Sequence, residues 1–224
     1  MFMKSYKKLH VPVKIKNCLD HWPALDDWNL QYFQKVLGYR TVPVEIGKRY
    51  TDDSWTQTLM TVNEFIAKYI VDGNEQPSIG YLAQHELFQQ IPELKDDFDI
   101  PLYCYSDDNE EEASVNIWFG PSDTVSPLHT DPKHNCLCQV FGQKYVRLYS
   151  DENQMYPFED LLSNTSKIDL EKDYQDIIET YPEFKHAKGL ETILEPGDLL
   201  YIPPKCWHFV KSLSTSCSLS FWFE

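Results

Sequence analysis

A chain of 224 residues and 26.4 kDa has the size of one domain and can bury a full core without disulfides or a structural metal. Hydrophobic residues at 42% and aromatic residues at 14% exclude a disordered chain. The 20 Lys and Arg against 35 Asp and Glu leave a formal charge of -15, which repels a phosphate backbone and speaks against direct nucleic-acid binding, while attracting a basic protein or peptide.

The same charge also serves simply to keep a protein in solution. The six cysteines, Cys18, Cys104, Cys136, Cys138, Cys206 and Cys217, form no CxxC pair, so zinc-ribbon and thioredoxin-like chemistry find no support. Cys136 and Cys138 share one face of a strand pattern and read as small hydrophobes. Scattered thiols without a secretory signal imply a reducing, intracellular compartment, nuclear or cytoplasmic. No apolar run approaches the roughly 20 residues that cross a bilayer, so no membrane partner is expected.

In chain order, Val11 to Ile15 alternates like a strand and leads to a turn at Asp20-His21-Trp22-Pro23. Helical spacing is predicted from Asp27 to Phe33, with Val36 and Leu37 completing the apolar face. Thr41 to Ile46 reads as a strand, Thr61-Val62-Asn63-Glu64 as a capping box, and Gly80 to Gln84 as a short strand. The acidic stretch Asp107 to Glu112 reads as a solvated loop inside one domain of residues 1–224. It separates an N-terminal α/β cover over 1–113 from a β core over 114–224. In that core Ser114 to Phe119 is a strand, and Asn135 to Phe141 and Lys144 to Tyr149 flank Gly142-Gln143, a two-residue hairpin turn. A polar excursion with short helical pieces runs from Asp151 to about Leu190. Glu195-Pro196-Gly197-Asp198 then turns into Leu199 to Ile202, and two more strands close the chain. Many short strands with Gly and Pro turns point to a jelly roll.

The chemistry concentrates in Ser126-Pro127-Leu128-His129-Thr130-Asp131-Pro132. On an extended backbone, residues two apart share a side, so His129 and Asp131 can grip one ion. His208, approached through Ile202-Pro203-Pro204-Lys205-Cys206-Trp207, supplies a third ligand. Two His and one carboxylate on one face leave open positions, as non-haem Fe(II) oxygenases require. An HxD tripeptide alone is more often structural, and His208 alone fits a satisfied core histidine; their combination in a jelly-roll pattern is the specific signal. His134, close by, reads as a surface residue or one that supports the ligands. A 2-oxoglutarate oxygenase also needs a cation for the far carboxylate of that cosubstrate. Lys144, on a strand near HxD, is the candidate, although a lysine at a hairpin more commonly faces solvent.

These residues, with Val42-Pro43-Val44-Glu45, Gly80-Tyr81-Leu82-Ala83-Gln84-His85, Trp118-Phe119-Gly120-Pro121 and Gln139 to Tyr145, resemble the Jumonji-C family along nearly the whole chain. The resemblance implies a mainly β fold with α, a double-stranded β-helix (cupin-like jelly roll) under an N-terminal α/β cover. It implies Fe(II) on His129, Asp131 and His208, with 2-oxoglutarate and O2 as cosubstrates. Lys144 and Tyr81 would bind the distal carboxylate, and Asn135, Ser126 and Trp222 would line the cosubstrate pocket. In the matching branch Glu45, Gln84 and Trp118 would line the substrate pocket, where a carboxylate and a flat indole suit a guanidinium. Glu45 as an exposed strand residue and Trp118 as core are the plainer alternatives. Trp222-Phe223-Glu224 departs from the branch's Trp-Trp pairing, which bears on the pocket floor. Arginyl hydroxylation of a basic protein or peptide is the activity this favours. Methyl-lysine demethylation, tail-clipping hydrolysis and a non-catalytic binding module are the competitors. With no helices after the last strand, a monomer is expected.

Overall fold

The computed structural model describes residues 9–72, 77–105, 113–150 and 155–224. After β1 (Val13–Ile15) come α1 (Pro23–Asp27), α2 (Leu30–Leu37), β2 (Thr41–Ile46), β3 (Thr56–Thr61), α3 (Val62–Phe65) and β4 (Gly80–His85). A short α4 (Leu87–Gln90) precedes β5 (Ser114–Gly120), β6 (Val125–His129), β7 (His134–Phe141) and β8 (Lys144–Tyr149). Helix α5 (Tyr174–Thr180) then leads to β9 (Gly189–Leu194), β10 (Leu199–Ile202), β11 (Trp207–Ser212) and β12 (Ser216–Phe223).

The strands from β5 onward divide between two facing antiparallel sheets, changing sheet at every step except from β8 to β9, in the double-stranded β-helix that the resemblance implies. One sheet has the order β1-β10-β7-β12-β5-β4-β2-β3 and the other β6-β11-β8-β9. Strands from the first 113 residues do more than cover the core: β1 pairs with β10, and β4 and β2 extend the larger sheet beyond β5.

Alternation along β7 decides what each face does. Cys136, Cys138 and Val140 point out to a core shared with Phe33, Leu37 and Phe65 of the N-terminal helices. Leu137 points inward, joining Val146, Leu148, Leu194, Leu200 and Ile202 between the sheets. Burying each such side chain is worth about 2 kcal/mol, enough to fix the register of a strand that has no polar face. The outer face of the smaller sheet is covered by the excursion after residue 154, through Met155, Ile168, Ile177 and Phe184 against Trp207 and Phe209. All six cysteines are free thiols, five of them buried.

The structure corrects several expectations. Helical geometry begins at Leu30, because Asn29 caps it by accepting from the Tyr32 N–H at 2.9 Å; Asp27 ends the preceding helix. Val36 lies outside the apolar face, at 38% exposure. The capping box at Thr61 and Glu64 is present, with both reciprocal bonds. Gly142-Gln143 is not a hairpin turn, since β7 and β8 lie in different sheets. It is a corner, held by the Leu213 N–H donating to the Gln143 carbonyl at 2.8 Å and by the Gln139 side-chain amide donating to the Phe141 and Gly142 carbonyls. His134 is buried rather than exposed, bonded through Nδ1 to the Tyr201 hydroxyl at 2.7 Å, and belongs to the β7 core. The acidic stretch Asp107 to Glu112 falls outside the described residues.

Gly142 has φ of 70°, and a Cβ there would sit 2.1 Å from the Thr215 carbonyl oxygen. Both strain and collision oppose any side chain. Gly142→Ala is expected to lower the unfolding free energy by roughly 2–4 kcal/mol in a urea titration.

Candidate metal centre and active-site cleft

His129 ends β6 directly across the ladder from His208 on β11, so the two imidazoles leave the sheet on one face. Asp131 lies two residues on, held by the Lys205 N–H donating to its carbonyl at 2.9 Å. The Pro203-Pro204 turn thereby anchors the Asp131 backbone and delivers His208 at once. The ligand atoms of His129, Asp131 and His208 all lie within 4.8 Å of one another. Nε2 of His129 is 3.9 Å and Nε2 of His208 3.6 Å from the Asp131 carboxylate oxygens.

The tautomers are set by the backbone. Nδ1 of His129 is 2.6 Å from the Pro127 carbonyl, and Nδ1 of His208 is 3.0 Å from the Cys206 carbonyl. A carbonyl only accepts, so each Nδ1 carries the proton and each Nε2 lone pair turns inward. Burial, then the neighbouring His208, lowers the His129 pKa to about 4, which keeps that ring in its metal-binding neutral form. The donor set, two neutral imidazoles and a carboxylate on one face, fits a divalent iron with open positions.

The metal-binding face opens on two cavities. The inner one is lined by Tyr81, Ser126, Asn135, Leu137, Lys144, Ile202 and Val210, together with Trp118 and the three ligands. Lys144 is 1% exposed, with its ammonium 3.2 Å from the Tyr81 hydroxyl and 5.6 Å from the Tyr81 ring centroid. Burial pulls its pKa down to about 7, because among the described residues no carboxylate answers the charge. A hydrogen bond and a ring face recover roughly 2–3 kcal/mol, while desolvating an ammonium costs several. The Asn135 amide oxygen is also buried, with no hydrogen-bond partner among the described residues. A cation and a polar amide facing a cavity beside open metal positions fit a dicarboxylate such as 2-oxoglutarate.

The outer cleft takes in Glu45, Tyr50, Trp55, Gln84, Trp118, Asn164, Thr165 and Trp222. Glu45 pairs in register with Tyr81, so the two cavities share a wall. Burial raises the Glu45 pKa, opposed by the Trp55 N–H at 3.3 Å, and no cation of the described residues bridges its carboxylate. A bulge between Leu82 and His85 gives Gln84 a φ of 46° and leaves it exposed. Trp118 stands between the cavities, its indole N–H donating to the Ser220 hydroxyl at 2.9 Å. Trp222 lines this cleft and not the inner cavity. Sequence reasoning passed over Tyr50, Trp55, Asn164 and Thr165. The only available signal was two aromatic residues in a polar loop, Lys48 to Trp55, where solvation alone would not place them.

Among known proteins, the family model described as a cupin-like domain matches residues 1–224. The chain is 50% identical over 227 residues to Lysine-specific demethylase 8 of Xenopus tropicalis, covering 100% of this chain and 50% of that protein. It is 46% identical to Lysine-specific demethylase JMJ30 of Arabidopsis thaliana, over 100% of this chain and 52% of that protein. It is likewise 46% identical to Jumonji C domain-containing protein 5 of Drosophila melanogaster, over 95% of this chain and 54% of that protein. The chain thus spans about half the length of these curated relatives.

Removing one of three ligands should abolish tight metal binding. His208→Ala is expected to weaken Co(II) or Mn(II) binding at least about 100-fold in a calorimetric titration, with the fold intact by circular dichroism.

Proposed function

The chain belongs to the cupin-like family, in its Jumonji-C branch, and from that premise we propose that it is an Fe(II)- and 2-oxoglutarate-dependent oxygenase that hydroxylates an arginine side chain of a protein. The Jumonji-C family in general depends on Fe(II) and 2-oxoglutarate. The observation that carries the cosubstrate reading is Lys144, a buried cation that no carboxylate of the described residues meets, facing the same cavity as the metal ligands. In this reading Lys144 and Tyr81 take the distal carboxylate, and Asn135 and Ser126 position the rest. Bound Fe(II) and 2-oxoglutarate would supply the oxidising power that inserts one atom of O2 into a C–H bond. The chain's own residues orient the substrate and keep water from the inner cavity.

Substrate choice rests on the outer cleft. Glu45 offers a half-buried carboxylate, Gln84 an amide and Trp118 a flat face. A guanidinium answers all three, donating two parallel N–H bonds while stacking its plane. A trimethylammonium group has no N–H to donate and would leave the carboxylate's lone pairs unmet. The names of two relatives favour a second reading, demethylation of methyl-lysine. A formal charge of -15 suits a basic protein or peptide in either case and disfavours nucleic acid. Six free thiols fit a reducing compartment, nuclear or cytoplasmic. Among the described residues no helix is long and apolar enough to cross a membrane. A monomer completes the reading.

With Fe(II), 2-oxoglutarate and O2, arginine peptides are expected to gain one oxygen in mass alongside succinate, and methyl-lysine peptides to release no formaldehyde. Glu45→Ala should lower kcat/KM for the arginine peptide by roughly 30- to 1000-fold, the scale of stranding a cation in a half-buried pocket. Formaldehyde from a methyl-lysine peptide, with no oxidised arginine in any peptide tried, would transfer the assignment to demethylation.

A further inference from the structure

Behind the cleft wall lies an ionic hub that takes no part in the metal or cosubstrate sites. Glu171 meets Lys48 Nζ at 2.9 Å and Arg49 Nη2 at 2.7 Å through one carboxylate oxygen, and Lys211 Nζ at 2.9 Å through the other. Arg49 continues through Nη1 to Asp169 at 2.7 Å, and Lys211 reaches Asp123 at 3.0 Å. Three cations and three carboxylates close the charge. Burial would raise the Glu171 pKa, yet bonds from Lys48, Lys211 and Arg49 bring it down to about 2.

The hub joins three elements around the metal strand. Lys48 and Arg49 sit in the loop between β2 and β3, which sends Tyr50 and Trp55 into the outer cleft. Asp169 and Glu171 follow a segment strapped to β6: the Thr130 N–H donates to the Asn164 carbonyl and the Ser166 N–H to the Leu128 carbonyl, each at 2.8 Å. Lys211 lies three residues past His208 on β11. Between loop, strap and β6 is a narrow gap lined by Arg49, Thr51, Val125, Leu128, Ile168 and Phe209. Close packing between loop and strap is therefore incomplete, and the ion pairs span them, with the Arg49 fork across two carboxylates giving direction.

We propose that Arg49 and Glu171 are positioning residues: their ion pairs hold the Lys48-to-Trp55 loop in register with the metal strand and so set the affinity for the peptide substrate. This rests on the oxygenase reading for its catalytic consequence. The loop's two cleft residues are tied to parts that depend on that register. Tyr50 bonds Thr165 at 3.1 Å and meets the His129 ring edge-on at 6.5 Å, and Trp55 donates to Glu45. Loss of the hub frees the loop while leaving the ligand strands and Lys144 in place.

Glu171→Gln keeps the shape and removes the charge. Hydrogen exchange should quicken roughly tenfold or more at Asp52 and Trp55, whose N–H groups close the loop's turns at 3.1 and 2.9 Å, with β7 and β12 unchanged. The KM for an arginine peptide should rise about tenfold, while kcat and peptide-independent succinate formation stay within about twofold. Arg49→Lys, which keeps the charge but cannot span both carboxylates, should show a smaller change of the same kind and replaces Glu171→Gln if that variant does not fold. Unchanged exchange in the loop would overturn the proposal, as would faster exchange spread evenly over β7 and β12. Wild-type protein that forms no succinate sinks the oxygenase reading, whereas the exchange pattern still decides the hub.

Discussion

Lys144 carries an ammonium group into the space between two β-sheets, where among the described residues no carboxylate meets it. A folded chain tolerates such a charge only at a cost of several kcal/mol, and the Tyr81 hydroxyl and ring recover part of it. Much of the surrounding architecture bears on that placement. The Gly142 corner swings the chain from the larger sheet to the smaller one immediately before Lys144, so the side chain enters the core instead of reaching solvent. Strand β4, contributed by the N-terminal part, brings Tyr81 alongside. Strand β7 supplies Asn135, whose buried amide oxygen also lacks a partner among the described residues. These are departures from a satisfied core, and all of them face the metal ligands.

The metal centre obeys the opposite rule, with its geometry fixed before any ion arrives. Cross-strand register places His129 against His208, and backbone carbonyls orient both rings. Little rearrangement is left for binding, and what remains is the attraction of a divalent cation for two neutral imidazoles and a carboxylate. His129 and Asp131, with Trp118, Tyr81 and Ser126, belong to both cavities, so a group bound inside and a side chain bound outside would meet at the ion.

Much of this was legible in the residues. Strand patterning found β2, β4, β5, β7 and β8, because each has a buried face or is buried on both. It missed β3 and β9, the end strands of the two sheets, whose TQTLMT and GLETIL runs are largely exposed and lack alternation. The HxD spacing and the Pro-rich approach to His208 identified the triad from local geometry. The hairpin misread at Gly142 has a simple cause: a two-residue Gly turn looks the same whether the next strand pairs back or crosses to another sheet. Which sheet a strand joins depends on distant partners, here Trp207 to Ser212 for β8. Trp55, Tyr50 and the Glu171 hub depend on contacts more than 100 residues apart in several cases, such as Arg49 to Glu171, and leave no periodic trace.

The most direct test of the buried-cation site is the proton balance of cosubstrate binding. 2-Oxoglutarate is fully ionised above pH 7, whereas Lys144, with its pKa drawn down to about 7, is largely neutral at pH 8 in the unliganded protein. A carboxylate at the ammonium raises that pKa again, so binding should take up close to one proton at pH 8 and weaken as pH rises further, by at most about tenfold per unit. Calorimetry of the Mn(II)-loaded protein in two buffers of different ionisation enthalpy measures this, with Lys144→Met supplying the background. Uptake approaching one proton that the variant loses is the expected result. Binding of equal strength in both proteins, with no difference in proton uptake, would contradict the assignment of Lys144 to the cosubstrate.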